Sequence, residues 1–189
     1  IGGGNPPRPG EITLAHRGVL FLDELTEFKR TVLEFLRQPL EDGFVTISRT
    51  RQSVEFPAQF TLVASTNPCP CGYFGDPIQA CTCSPRAREQ YWAKLSGPLM
   101  DRIDLQVAVN RLKPEEMMQQ GVGEDSHTVA ERVNQARQIA QVRFQDHPQV
   151  HCNAEMTTKD LRQHCGLDQG SRNSLEGAVR KLGFSARAM

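Results

Sequence analysis

Residues 18 to 25 read Gly-Val-Leu-Phe-Leu-Asp-Glu-Leu, so that Asp23 and Glu24 stand side by side at the end of a short apolar run. A continuous run of branched and aromatic residues suits a strand buried on both faces of a parallel sheet, and ligands of such sheets bind beyond the carboxyl ends of the strands. There Asp23 could hold magnesium, directly or through water, and Glu24 could orient and deprotonate a water that attacks a phosphate. The same pattern also arises where a buried strand runs into an acidic helix start, so other motifs must decide. A second constellation is Cys69-Pro70-Cys71 and Cys81-Thr82-Cys83, separated by nine residues that include Gly72, Gly75 and Pro77. In a reducing cytosol four thiolates brought together are a tetrahedral zinc donor set; the alternative is four reduced cysteines or an oxidised pair. Cys152 and Cys165 lie far off in helical surroundings, and His151 and His164 beside them read as ordinary surface residues rather than ligands.

The elements that must position these groups follow from periodicity and punctuation. Ile1 to Gly10 is rich in Gly and Pro and reads as loop or the tail of a hairpin, and Glu11 to His16 is too short to assign. After the apolar strand, Thr26 is expected to cap a helix carrying Phe28, Val32, Leu33, Leu36 and Leu40, closed by Asp42-Gly43. Phe44 to Ser48 and Ser53 to Phe56 read as the arms of a hairpin with Arg49, Thr50, Arg51 and Gln52 near its tip. Phe60 to Ser65 is expected to be a second buried strand, ending at Thr66-Asn67-Pro68. Ser84 and Pro85 start a helix to about Leu95, Pro98 opens another, and Leu105 to Val109 alternates like a strand.

Beyond a break near Arg111 to Asp125 the pattern is helical. Ser126 is expected to cap a helix with Val129, Val133, Ala136, Ala140 and Phe144 on one face, ended by His147-Pro148. Thr157 and Asp160 form a capping-box pattern before Leu161, Ser171 starts a third helix stopped by Gly183, and Ser185 caps a fourth. The expected organisation is an α/β domain over residues 1–112 and a small all-helical domain over 113–189. A formal net charge of zero, with 22 basic and 22 acidic side chains, means that any contact with a polyanion must come from local clusters. No stretch approaches the ~20 apolar residues of a membrane span and no signal peptide opens the chain, which reads as cytoplasmic. Because it begins at Ile1 and ends at Met189 within a helical pattern, it is expected to be an excised piece of a longer protein.

Five segments taken in order resemble one family. They are Gly-Val-Leu-Phe-Leu-Asp-Glu-Leu at 18 to 25, Arg-Gln-Pro-Leu-Glu-Asp-Gly at 37 to 43 and Ser-Thr-Asn-Pro-Cys-Pro-Cys-Gly at 65 to 72. Leu-Ser-Gly-Pro-Leu-Met-Asp-Arg-Ile-Asp-Leu at 95 to 105 and Ser-Ala-Arg-Ala at 185 to 188 complete the set. Together they resemble the ComM or YifB type of magnesium-chelatase-like AAA+ ATPase, which is related more distantly to magnesium chelatase and to minichromosome-maintenance helicases. The resemblance implies a partial AAA+ core, with a parallel sheet, flanking helices and a hairpin ahead of sensor 1, followed by a helical lid.

The resemblance also implies roles. Asp23 and Glu24 would be the Walker B pair acting on magnesium and the water that attacks ATP, and Asn67 would be sensor 1, touching that water and a γ-phosphate oxygen. Arg102 would be an arginine finger reaching a neighbouring subunit's nucleotide; its bland alternative is a surface ion pair with Asp101 or Asp104. Arg187 in Ser-Ala-Arg-Ala would be sensor 2, unless it is an ordinary helix-start arginine. In related ring helicases the hairpin points into a central pore, where Arg49 and Arg51 would meet phosphates of a threaded DNA strand, a sequence-blind and salt-dependent contact; two arginines on a solvated turn are the alternative. The partner implied is a homo-oligomeric ring, a hexamer.

The sequence contains no Gly-x-x-x-x-Gly-Lys-Ser/Thr phosphate loop, and Gly2-Gly3-Gly4 lacks the lysine and hydroxyl that would meet phosphates and metal. In the resembled family that loop lies upstream, so the 189-residue chain alone is expected to bind ATP poorly and hydrolyse it negligibly. Three readings of function remain: a ring motor that moves DNA as a translocase or branch-migration helicase, a chelatase-type motor that remodels a protein partner, and a non-enzymatic interaction module stabilised by zinc.

Overall fold

A computed structural model describes residues 2–49, 52–112, 118, 123–147 and 150–183, with the backbone alone at 49 and 52. The chain divides into a unit ending at Arg111 and a second that begins at Leu112.

In the first unit, β1 (Gly2–Gly3) and β2 (Arg8–Pro9) form a short antiparallel ribbon, where the sequence left open a loop or the tail of an upstream hairpin. Gly2 has φ +125°, and a Cβ there would lie 2.5 Å from the Arg8 carbonyl oxygen, so only glycine allows this approach. One turn of helix, α1 (Glu11–Leu14), buries Ile12. Next comes β3 (Val19–Leu22), then a 3-10 turn at Leu25–Glu27, then α2 (Arg30–Phe35) and α3 (Arg37–Asp42). Gly43, at φ 75°, ends α3 in the left-handed conformation that glycine accepts most readily. The hairpin is present as β4 (Phe44–Arg49) and β5 (Gln52–Pro57), in register from Phe44 opposite Pro57 to Arg49 opposite Gln52. Thr50 and Arg51 at its tip lie outside the described residues, as does the Arg49 side chain.

The chain then returns as β6 (Thr61–Ala64), parallel to β3, with Val19 opposite Thr61 and Leu22 opposite Ala64. Two helices complete the unit, α4 (Pro85–Trp92) and α5 (Gly97–Met100). Ser84 Oγ accepts from the Ala87 N–H and Ser96 Oγ from the Leu99 N–H, so each helix opens with a serine cap followed by proline in its first turn. The core gathers Ile12, Leu25, Leu33, Leu36, Val45, Ile47, Ala58, Leu95 and Leu99, with Leu20 and Leu22 packed against it.

Several expectations need correction. The β3 strand is not buried on both faces: Leu20 and Leu22 pack on the core, whereas Val19 and Phe21 are 62% and 60% exposed. The neighbouring β6 is likewise mostly exposed, with Val63 on the same uncovered side, because among the described residues nothing covers that face. Thr26 does not cap a helix; it is fully buried inside the 3-10 turn, and its hydroxyl is hydrogen-bonded to that of Thr66 at 2.9 Å. Lys29 is the residue ahead of α2 and makes no side-chain cap. Leu105 to Val109 is not a strand: its alternating apolar side chains are more than four-fifths exposed, and among the described residues it has no partner strand to accept its N–H groups.

The second unit is helical among the described residues. In α6 (Ser126–Arg143) the cap is Asp125, one residue before the expected Ser126, with Oδ1 accepting from the Thr128 N–H. The helix ends at Arg143, ahead of His147; Pro148 lies outside the described residues. Most of its expected apolar face is open, but Phe144 just beyond it is buried and packs edge-on against His164. In α7 (Thr158–His164) both halves of the Thr157–Asp160 capping box form. In α8 (Gln169–Leu182) the cap is Asp168, accepting from the Ser171 N–H, and Gly183 closes the helix at φ 65°. The Ser185 cap and Arg187 fall outside the described residues. No described helix is long and apolar enough to cross a membrane.

Candidate functional site

The parallel pairing of β3 with β6 brings the two chain segments that follow these strands to one edge. Register carries on past the strands: the Ser65 N–H donates to the Leu22 carbonyl at 3.0 Å, and the Leu25 N–H donates to the Ser65 carbonyl at 2.8 Å. Ser65 Oγ donates to Asp23 Oδ1 in a short hydrogen bond. The Glu24 N–H donates to Asp23 Oδ1 at 3.0 Å and reaches Ser65 Oγ at 3.3 Å. Asp23 is thus held by local donors while remaining exposed.

Glu24 has φ 50° and ψ 52°, the left-handed region that a side chain other than Gly or Asn rarely enters. This conformation swings the backbone off the strand axis in one residue, seats Leu25 and Thr26 in the core, and leaves the Glu24 carboxylate in solvent. Strained backbone of this kind persists where surrounding structure over-determines it, and it clusters at functional sites. Here the surroundings are Ser65, the Thr26–Thr66 hydroxyl pair and Lys94, whose Nζ donates to the Thr26 carbonyl at 2.6 Å. Two residues after Ser65, Asn67 emerges exposed at the same edge, ahead of Pro68.

The donor set at this edge, a carboxylate pair with a hydroxyl beside it, is made of hard oxygen atoms that suit magnesium. Sequence reasoning assigned nothing to Ser65, although it lies in the Ser-Thr-Asn-Pro segment; only the β3–β6 register reveals it as the partner of Asp23.

Arg102 is not at this edge. It follows α5, and its side chain is 13% exposed. Nη1 donates to the Pro98 carbonyl at 2.6 Å and Nη2 makes a short ion pair with Glu41 Oε2, while Nε is buried without a partner. The ion-pair partner is therefore Glu41, 61 residues away in sequence, rather than Asp101 or Asp104. A shallow open depression lined by Arg30, Glu34, Phe35, Arg37, Gln38 and Glu41 lies along α2 and α3 beside that pair, not at the carboxylate edge.

The loop after Pro68 brings all four cysteines of the two Cys-x-Cys pairs together. The Tyr73 backbone N–H is the largest influence holding the Cys71 thiol low, at about 5, whereas burial and then the Cys71 sulfur push Cys83 up to about 12. Cys152 and Cys165 are exposed and belong to the second unit.

The family description "Magnesium chelatase, subunit ChlI" matches residues 1–117, and that of the ChlI C-terminal region matches 123–189. The chain is 43% identical over its whole length to the uncharacterized protein YifB of Escherichia coli and, equally, to the competence protein ComM of Haemophilus influenzae. It covers 36% of each, so it spans about a third of the length of these relatives. The magnesium-chelatase subunit ChlI of Pyropia yezoensis is 37% identical over 60 residues, which is 32% of this chain and 17% of that protein. With both family descriptions matched in order and two relatives similar over the whole of this chain, the chain belongs to the magnesium chelatase subunit ChlI family, in its ComM and YifB type.

Proposed function

We propose that this chain is the water-activating part of an ATP-hydrolysing AAA+ ring motor whose load is DNA. The observation that carries this is the β3–β6 edge, where Asp23 is fixed by Ser65, Glu24 is thrown into solvent by a left-handed turn, and Asn67 follows two residues after Ser65. Magnesium-bound ATP would supply an electrophilic γ-phosphate and an ion to neutralise its charge. Asp23 would hold the ion, Glu24 would take the proton from the attacking water, and the Asn67 amide would orient that water. Arg102 would act on the nucleotide of the next subunit, and Arg187 would contact it as sensor 2. Arg49 and Arg51 would grip phosphates of a DNA strand in the ring's pore. The family's nucleotide and magnesium chemistry and the match of the whole chain to about a third of a competence protein support this reading.

The test is ATP turnover by the full-length protein, with and without DNA. Glu24→Gln removes the base while keeping the shape, so turnover should fall by about 100-fold or more with nucleotide binding retained. Arg49→Ala combined with Arg51→Ala should leave basal turnover in place but remove its stimulation by DNA and flatten its salt dependence. If Glu24→Gln turns over ATP normally, the catalytic assignment is wrong. If DNA stimulates the doubly substituted protein as well as the parent, the load is not gripped by this hairpin, and stimulation by a protein partner instead would favour the chelatase type of motor.

A further inference from the structure

The four clustered cysteines play no part in the chemistry at the β3–β6 edge, yet the loop that carries them is built with care. The Sγ atoms of Cys69 and Cys71 are 3.4 Å apart, and each lies 3.6 Å from Cys81 Sγ. All four sulfurs lie within 4.8 Å of one another. A disulfide needs ~2.05 Å, and one bond would draw two sulfurs away from the others, whereas here three stand at nearly equal spacing. Four Zn–S bonds of ~2.3 Å at tetrahedral angles put the sulfurs about 3.8 Å apart, close to the 3.4–3.6 Å among Cys69, Cys71 and Cys81 and within the 4.8 Å that also includes Cys83. A polynuclear iron–sulfur cluster would need its cysteines further apart, because several irons and inorganic sulfides must fit between them.

The surroundings also match. Cys69 is fully buried and the other three are half-buried, which suits a closed structural site with no open coordination position. Gly72 turns the chain at φ 82°, with its N–H on the Cys69 carbonyl at 2.9 Å, so that Cys71 folds back beside Cys69.

We infer that Cys69, Cys71, Cys81 and Cys83 bind one structural zinc ion, and that this ion fastens the segment carrying Asn67 to α4. Asn67 lies two residues before the first ligand, and the last ligand directly precedes Ser84, the cap of α4. From α4 two side chains reach back across the loop. Arg88 donates to the Cys83 carbonyl at 2.8 Å with its guanidinium 4.5 Å above the Phe74 ring, and Trp92 Nε1 donates to the Pro68 carbonyl at 3.1 Å. With metal bound, the loop from 69 to 83 is closed at both ends and Pro68 is held against Trp92. The consequence for Asn67 as a water-orienting residue rests on the function proposed above; the metal site does not.

The experiment measures metal content and the emission of Trp92, the single tryptophan in these 189 residues. The full-length protein, purified in reductant with zinc supplied during growth, should hold one more zinc per subunit than a Cys81→Ser/Cys83→Ser variant. Since that variant could misfold, the parent is also stripped with a chelator and reloaded with cobalt, which should give the intense visible bands of a tetrahedral thiolate complex. The Trp92 signal, taken as the difference from a Trp92→Phe protein, should shift to the red on stripping and return with zinc but not magnesium. Less than about a tenth of an equivalent of zinc, with no cobalt–thiolate spectrum, overturns the site. Full metal occupancy with Trp92 emission indifferent to its removal overturns the fastening. Neither outcome depends on ATP turnover, so failure here is distinguishable from failure of the catalytic reading.

Discussion

Glu24 combines an exposed carboxylate with a backbone in the left-handed region at φ 50°. A side chain with a Cβ in that region costs about 1–2 kcal/mol, and glycine relieves it at a smaller cost in unfolded-chain entropy. Glu24→Gly should therefore be at least as stable as the parent in urea unfolding, and Glu24→Ala less stable than Glu24→Gly by about 1 kcal/mol, while neither variant supports ATP turnover in the full-length protein. An alanine variant as stable as the glycine one would show that the turn is not strained. Ser65 makes a complementary point about single residues. Its type says little, since serine is common after strands, and its role as the donor to Asp23 follows only from a register that pairs Leu22 with Ala64.

Among the elements, α4 and α7 are those whose starts are legible in full, α4 from Ser84 followed by Pro85 and α7 because Thr157 and Asp160 satisfy each other at a fixed local spacing. The Thr157 N–H and hydroxyl donate to Asp160 Oδ2 at 2.9 and 2.7 Å, and Asp160 is almost wholly buried. The Thr157 hydroxyl and N–H hold the Asp160 carboxyl below the usual carboxylate range against the opposing effect of burial, with the His147 and His164 charges adding to it. A lowered folded-state pKa stabilises above the unfolded value of ~3.9 and ceases to as pH falls through the folded one. Helicity of the second unit, followed by far-UV circular dichroism, should accordingly be lost with acid below about pH 4, and Asp160→Asn should flatten that dependence at the expense of stability at neutral pH. An unchanged acid profile in Asp160→Asn would place the sensitivity elsewhere. The sequence suggests a cap at Ser126 and a helix start at Ser171, whereas the caps are Asp125 and Asp168, because Asp and Ser can both accept at a helix start and extended backbone at the aspartates decides between them. Leu105 to Val109 fails for a related reason: alternation describes one strand's faces, but a strand exists only as half of a pair.

At the scale of the molecule, the β3–β6 edge and Arg102 have to be considered together. The motifs placed Asp23, Glu24, Asn67 and Arg102 in sequence, and folding gathers the first three at one edge while tying Arg102 to Glu41 and Pro98. A single chain gives no sign of bringing that guanidinium to its own Asp23. In a ring built from heterologous contacts, each site would take Glu24 from one subunit and Arg102 from its neighbour. Loss of a trans-acting arginine costs about a thousandfold or more in related phosphoryl-transfer enzymes, and lysine cannot reproduce its planar fork. Arg102→Ala and Arg102→Lys should both be nearly inactive as full-length proteins. Mixing Arg102→Ala with Glu24→Gln in equal amounts, under conditions that let subunits exchange, should restore activity, because about one interface in four then pairs an intact Glu24 with an intact Arg102. A residue whose only task is to hold α5 against α3 through Glu41 would give no recovery on mixing, since every Arg102→Ala subunit would remain defective within itself.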